Sequence, residues 1–149
     1  MILKAKIIVD ADACPKNCLV LLQKERSRFG YRLITIASFN HVINNSEHIT
    51  VGNEKEAADL AVINRVQAGD LVVTQDWGLA ALVLGKGGKV LAPNGRIYHE
   101  DDIRFMLEER AVKAKIRRAG GRTKGPAARG KQDDQKFFAS LFELLSQMD

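Results

Sequence analysis

Cysteine is nearly absent, with Cys14 and Cys18 the only two in 149 residues. Two are too few for the disulfide framework of a small secreted domain. Their i,i+4 spacing is not the C-x-x-C of redox motifs, and no third Cys or nearby His completes a zinc set. They read as reduced thiols packed on a helix. No run approaches the ~20 apolar residues that cross a bilayer. The opening Met1-Ile2-Leu3-Lys4-Ala5-Lys6 also lacks the apolar centre of a signal peptide, so a cytoplasmic protein without membrane contact is expected. No internal repeat or second domain is visible, and residues 1–149 are long enough to bury one core.

Acid is missing from one stretch altogether. Between Arg110 and Lys131 stand nine bases and no Asp or Glu. That leaves 14 bases against all 18 acids elsewhere, so the net charge of +5 hides an acidic body with one strongly basic segment. A local cluster of this kind suits a polyanion better than a diffusely basic surface does.

What is present centres on Ile7-Ile8-Val9-Asp10-Ala11-Asp12-Ala13-Cys14-Pro15. A β-branched apolar run reads as a strand buried on both faces, the habit of parallel α/β sheets. Pro15 suits the start of a helix. Asp10 and Asp12 therefore leave the carboxyl end of a strand, where open α/β sheets bind ligands. Leu71-Val72-Val73-Thr74-Gln75-Asp76 repeats the idiom. If the two strands are parallel neighbours, ~4.8 Å apart, their acids meet across one edge. Asp59, in a helix among alanines and Leu60, is expected to turn inward over the same edge, with Glu56 one turn earlier. Asp10, Asp12, Asp59 and Asp76 then form a pocket of hard oxygen ligands suited to Mg²⁺ or Mn²⁺. Asp12 and Asp76 have a plainer reading as helix caps. Thr74 and Gln75 flank the edge and can orient a water or a phosphate, as can Ser38 and Asn40. The histidines His41, His48 and His99 lie in unrelated settings and receive no role.

Periodicity and punctuation predict helices over Pro15–Phe29, Glu54–Val66 (capped by Asn53), Trp77–Leu84, His99–Ala119 and Asp133–Gln147. Strands are predicted at Ile7–Asp10, Tyr31–Ala37, Glu47–Val51, Leu71–Thr74 and Lys89–Leu91, and a mobile loop over Gly120–Lys131. The alternation argues for one three-layer α/β/α domain with a mostly parallel sheet.

Val-Asp10-Ala-Asp12-Ala-Cys14-Pro15, Glu56-Ala-Ala-Asp59-Leu, Gly69-Asp70-Leu-Val-Val-Thr74-Gln75-Asp76-Trp-Gly78-Leu-Ala and Lys115-Ile-Arg117-Arg118-Ala-Gly120 together resemble the YaiI/YqxD family of bacterial proteins. Trp77 stands where that pattern leads one to expect Tyr. The resemblance implies a PIN-like fold and a metal-dependent nuclease, RNA more than DNA being the substrate. It makes Asp10, Asp12, Asp59 and Asp76 the catalytic and metal residues. The basic segment supplies Lys115, Arg117, Arg118, Arg122 and Lys124 as phosphate contacts. Two other readings stand beside this one. The first is a non-catalytic RNA- or ribosome-binding module with a vestigial acidic edge. The second is a haloacid-dehalogenase-type phosphatase with Asp10 as nucleophile and Lys86 or Lys89 in support.

Overall fold

The computed structural model describes residues 5–54, 56–122 and 128–148. Lys6–Asp10 forms the central strand β1, and a 3-10 turn over Ala11–Ala13 leads to α1 (Lys16–Phe29). Gly30 ends α1 in the left-handed conformation (φ 74°), with its N–H bonded back to Arg26. Strands β2 (Arg32–Ser38) and β3 (Glu47–Val51) follow with no helix between them. Then come α2 (Ala57–Ile63), β4 (Leu71–Val73), α3 (Trp77–Gly85), β5 (Lys89–Leu91), β6 (Ile97–Tyr98), α4 (Glu100–Arg118) and α5 (Lys131–Gln147). Among the described residues no helix is long and apolar enough to cross a membrane.

The strands lie in the order β3-β2-β1-β4-β5-β6, parallel throughout except for β6, which runs antiparallel to β5. Alternation along each strand divides two cores. Ile7, Val9, Leu33, Leu71, Val73 and Leu91 face α1 and α5, packing on Leu22, Phe137 and Leu141. Ile8, Ile34, Ile36, Val72 and Val90 face α2, α3 and the start of α4, packing on Val62, Leu79, Val83 and Ile103. This is the expected three-layer α/β/α arrangement, in a single domain.

Three local expectations need correction. β6 is not among the expected strands, because two residues carry no periodicity. α2 is shorter than the predicted Glu54–Val66, and Glu56 rather than Asn53 stands at its start. The Asn53 side-chain oxygen instead accepts from the Asn40 amide at 2.9 Å, a long-range bond that removes it as a cap. α5 opens two residues early, and its approach explains Gly95. A Cβ there would lie 2.5 Å from the Lys136 backbone, in a left-handed turn (φ 90°).

Register decides where chemistry can occur. Pairing Ile7↔Leu71 through Val9↔Val73 carries Asp10 alongside Thr74 at the carboxyl edge. The opposite edge is closed by Asp70, 3% exposed. Its carboxylate takes the Lys6 Nζ at 2.6 Å, the Lys6 N–H at 3.0 Å and the Gln67 N–H at 2.8 Å. Removing one partner of a buried ion pair strands the other charge. Asp70→Ala is therefore expected to cost about 3 kcal/mol in urea unfolding, whereas alanine at the exposed Glu47 of the Arg32 pair should cost under about 1 kcal/mol.

Candidate functional site

Asp10 ends β1 half-buried, and its Oδ2 accepts from the Thr74 hydroxyl at 2.9 Å. Thr74 is 1% exposed, so it faces inward as a junction rather than outward toward a substrate. Its oxygen accepts in turn from the Asp76 N–H at 3.0 Å. One hydroxyl thus fixes Asp10 relative to the first turn of α3. Asp76 caps that helix, its Oδ1 accepting from the N–H groups of Gly78 and Leu79 at 2.9 and 3.2 Å. Gly78 leaves room for this, since a Cβ there would sit 3.2 Å from the same oxygen.

Asp12 is pinned on the other side. Both its oxygens receive the Ser38 N–H, and Oδ1 also takes the Ser38 hydroxyl at 3.1 Å and the His41 Nδ1–H at 2.6 Å. An ionised carboxylate only accepts, so the His41 proton sits on Nδ1. Asp12 caps no helix; it ties the turn after β1 to the loop after β2. Ser38 is among the candidates that the sequence offers, and His41 is not. An isolated exposed His carries no periodic signal, and only the β1–β2 pairing brings it beside Asp12. Asp59 lies half-buried on α2, and Leu60 beside it points outward at 59% exposure.

The acids do meet electrostatically. Burial pushes Asp10 up to about 6, against the Thr74 bond, and the charges of Asp59, Asp12 and Asp76 add to the rise. Asp59 is likewise raised by burial, then by Asp76 and Glu56. Yet among the described residues no three His, Cys, Asp or Glu side chains are grouped closely enough to hold a metal ion. The four-carboxylate cage expected from sequence is not preformed, because Ser38 and His41 hold Asp12 and the α3 cap occupies Asp76 Oδ1. The donors still fit a hard cation in kind. Mg²⁺ commonly takes one or two carboxylates, keeps several waters and completes its shell with substrate phosphate.

The remaining candidates separate. The Gln75 amide donates to the Ala13 carbonyl at 2.7 Å. Gln75 also walls a cavity of about 450 Å³ at the carboxyl edge, with Pro15, Pro93, Tyr98 and Arg129. Lys115, Arg117, Arg118 and Arg122 are exposed along and beyond the end of α4, and Lys124 lies outside the described residues. The Arg110 guanidinium stacks over the Trp77 ring at 4.8 Å, so the basic half of α4 starts beside the residue that follows Asp76. Arg129, by contrast, is a staple: it donates to the Pro93 carbonyl at 2.7 Å and to Cys18 Sγ at 3.0 Å. The lysines of the phosphatase reading are misplaced. Lys86 donates to the Ile63 carbonyl at 2.7 Å, and Lys89 begins β5 at the far edge of the sheet.

The chain matches the family described as the uncharacterised YaiI/YqxD family over residues 8–147. It belongs to that family. A relative from Heliobacterium modesticaldum, named only as a UPF0178 protein, is 46% identical over 94% of this chain and 96% of its own length. Relatives of the same name from Exiguobacterium sibiricum and Ruminiclostridium cellulolyticum are 44% and 45% identical. They are covered over 97% and 89% of their own lengths, and cover 95% and 91% of this chain. No solved structure matches.

Two measurements follow from this geometry. A carboxyl raised in the folded state binds its proton more tightly there than in the unfolded chain, so stability falls as pH rises from about 4 to about 6. Asp10→Asn should flatten that fall and stabilise the protein at pH 7 by about 2 kcal/mol in urea unfolding. Thr74→Val removes the bond that favours the Asp10 anion and leaves the part-buried Asp76 N–H without its acceptor. It should move the Asp10 carboxyl titration followed by NMR still higher, at a cost of about 1–3 kcal/mol.

Proposed function

We propose that this chain is a divalent-cation-dependent phosphodiesterase acting on nucleic acid, RNA in preference to DNA, at the carboxyl edge between β1 and β4. One observation carries the reading: Asp10 stands half-buried at the end of β1, hard to ionise first because it is buried and then because Asp59, Asp12 and Asp76 add their charge. Such crowding costs stability and is relieved by a cation. Asp10, with one neighbouring carboxylate from Asp59 or Asp76 and the rest of the shell left to water and substrate phosphate, would hold Mg²⁺ or Mn²⁺. The cation would supply a nucleophile from bound water and stabilise charge on a phosphoryl oxygen.

The chain's own residues do the positioning. Thr74 sets the Asp10 carboxylate against the α3 cap, and Ser38 with His41 keeps Asp12 from swinging across the rim. The stacked Arg110–Trp77 pair links this rim to the basic half of α4. A phosphate backbone leaving the acids can follow Arg117, Arg118 and Arg122, with Lys115 beside them and Lys124 further along the chain. Phe39 is 64% exposed next to Ser38 and offers a face on which an unpaired base can stack. RNA is named by analogy with the PIN-like nuclease domains that the family resemblance implies.

A second reading has its own support. With Asp12 and half of Asp76 already satisfied by protein donors, the rim also suits a nucleic-acid-binding module without catalysis. Labelled RNA incubated with the full chain and Mn²⁺ separates the two. Cleavage should appear, stop with chelator and fall about a hundredfold or more in Asp10→Asn. Binding that is steep in salt but indifferent to chelator and to Asp10→Asn, with no cleavage, establishes the module instead.

A further inference from the structure

α4 is a 19-residue helix, about 28 Å long, that buries only Ile103. Its opposite side is apolar. Phe105, Val112 and Ile116 recur at i, i+7 and i+11, about 180–220° around the axis from Ile103. They are 63%, 57% and 41% exposed. A helix stripe of this spacing is normally the buried one.

Charge along the helix says what can cover it. The first half carries Glu100, Asp101, Asp102, Glu108 and Glu109 against the single base Arg104; from Arg110 on there are only bases, Lys113, Lys115, Arg117 and Arg118 among them. A parallel pair of such helices would set Glu109 against Glu109 and base against base. An antiparallel pair, related by a two-fold axis near the middle of the stripe, sets Phe105 against Ile116 and Val112 beside Glu109 of the other copy. On one flank of the seam, Glu108 of each copy then meets Lys115 of the other, twice by symmetry. Among the described residues of one chain Glu108 has only a loose, exposed contact to Arg104 at 3.8 Å. Glu109, at the seam's border, is already bridged to Lys113 at 3.2 Å.

The far end of the helix is closed by its own turn. Gly120 is left-handed (φ 85°), the Gly121 N–H returns to the Ile116 carbonyl at 2.9 Å and the Gly120 N–H to Arg117 at 3.0 Å. This Schellman turn folds the chain back at Ile116. A Cβ at Gly121 would sit 2.7 Å from the Ile116 side chain.

We infer that the partner of the α4 apolar face is a second copy of this chain, docked antiparallel across Phe105, Val112 and Ile116 with reciprocal Glu108–Lys115 pairs. The inference stands apart from the phosphodiesterase reading. It assigns Lys115 to the pair rather than to phosphate.

Sedimentation equilibrium of the nuclease-treated full chain tests it. The wild type should dimerise in the micromolar range. Val112→Glu, at an exposed position, should raise the dissociation constant about a hundredfold with its circular dichroism and melting unchanged. Glu108→Lys should raise it about tenfold, and adding Lys115→Glu should bring it back to within about threefold of wild type. A wild type that stays monomeric overturns the inference. So does a dimer that dissociates on nuclease treatment, one that survives Val112→Glu, or a double reversal that fails to restore the pair.

Discussion

The parallel pairing of β1 with β4 is the constraint on which the rest depends. Neither strand is long, and β4 has three residues, so few ladder bonds hold the register. Buried side chains enforce it: a slip of one residue would turn Ile7, Val9, Leu71 and Val73 out of one core and Ile8 and Val72 out of the other. With both faces buried, the penalty falls on every residue of the pair. The carboxylates beyond the strand ends are therefore placed by the core, not by their own interactions.

The two edges of this pair are opposite in character. At the amino edge Asp70 has a cation and two backbone donors, and nothing is left for a ligand. At the carboxyl edge Asp10 has one hydroxyl and three acidic neighbours. Both are buried or half-buried aspartates beside the same two strands. The first is fully satisfied, as structural carboxylates are. The second keeps an unmet demand for positive charge, which is the condition of a group held for use rather than for stability.

Sequence pattern carried the architecture because the information was local. Ile-Ile-Val-Asp and Leu-Val-Val-Thr mark two buried strands ending at one edge, and Gly30 and Gly120 mark helix ends by chemistry they perform alone. What escaped were roles assigned by distant partners. Asn53 has the right type and spacing for a cap, yet Asn40 takes its oxygen. Asp12 looks like an outward ligand until β2 brings Ser38 and His41 against it. Thr74 reads as an edge hydroxyl until packing seals it behind Asp10. In each case a polar side chain had several feasible partners, and tertiary geometry chose among them.

The acids at the start of α4 and the bases at its end raise a question of sufficiency, because the helix dipole alone favours that ordering. One buried residue cannot hold nineteen in a helix, so local stabilisation is needed. The Arg104–Glu108 and Glu109–Lys113 pairs and the Schellman turn supply part of it. Lys115, Arg117 and Arg118 in the last turn complement the dipole, but that effect fades within one turn. Arg122 comes after the helix has ended and gains nothing from it. The run of bases extends past the point where helix stability can explain it, and it begins at Arg110, against Trp77, one residue from the acidic rim. Continuity from that rim outward is what a polyanion-binding track requires, and a self-contained helix does not.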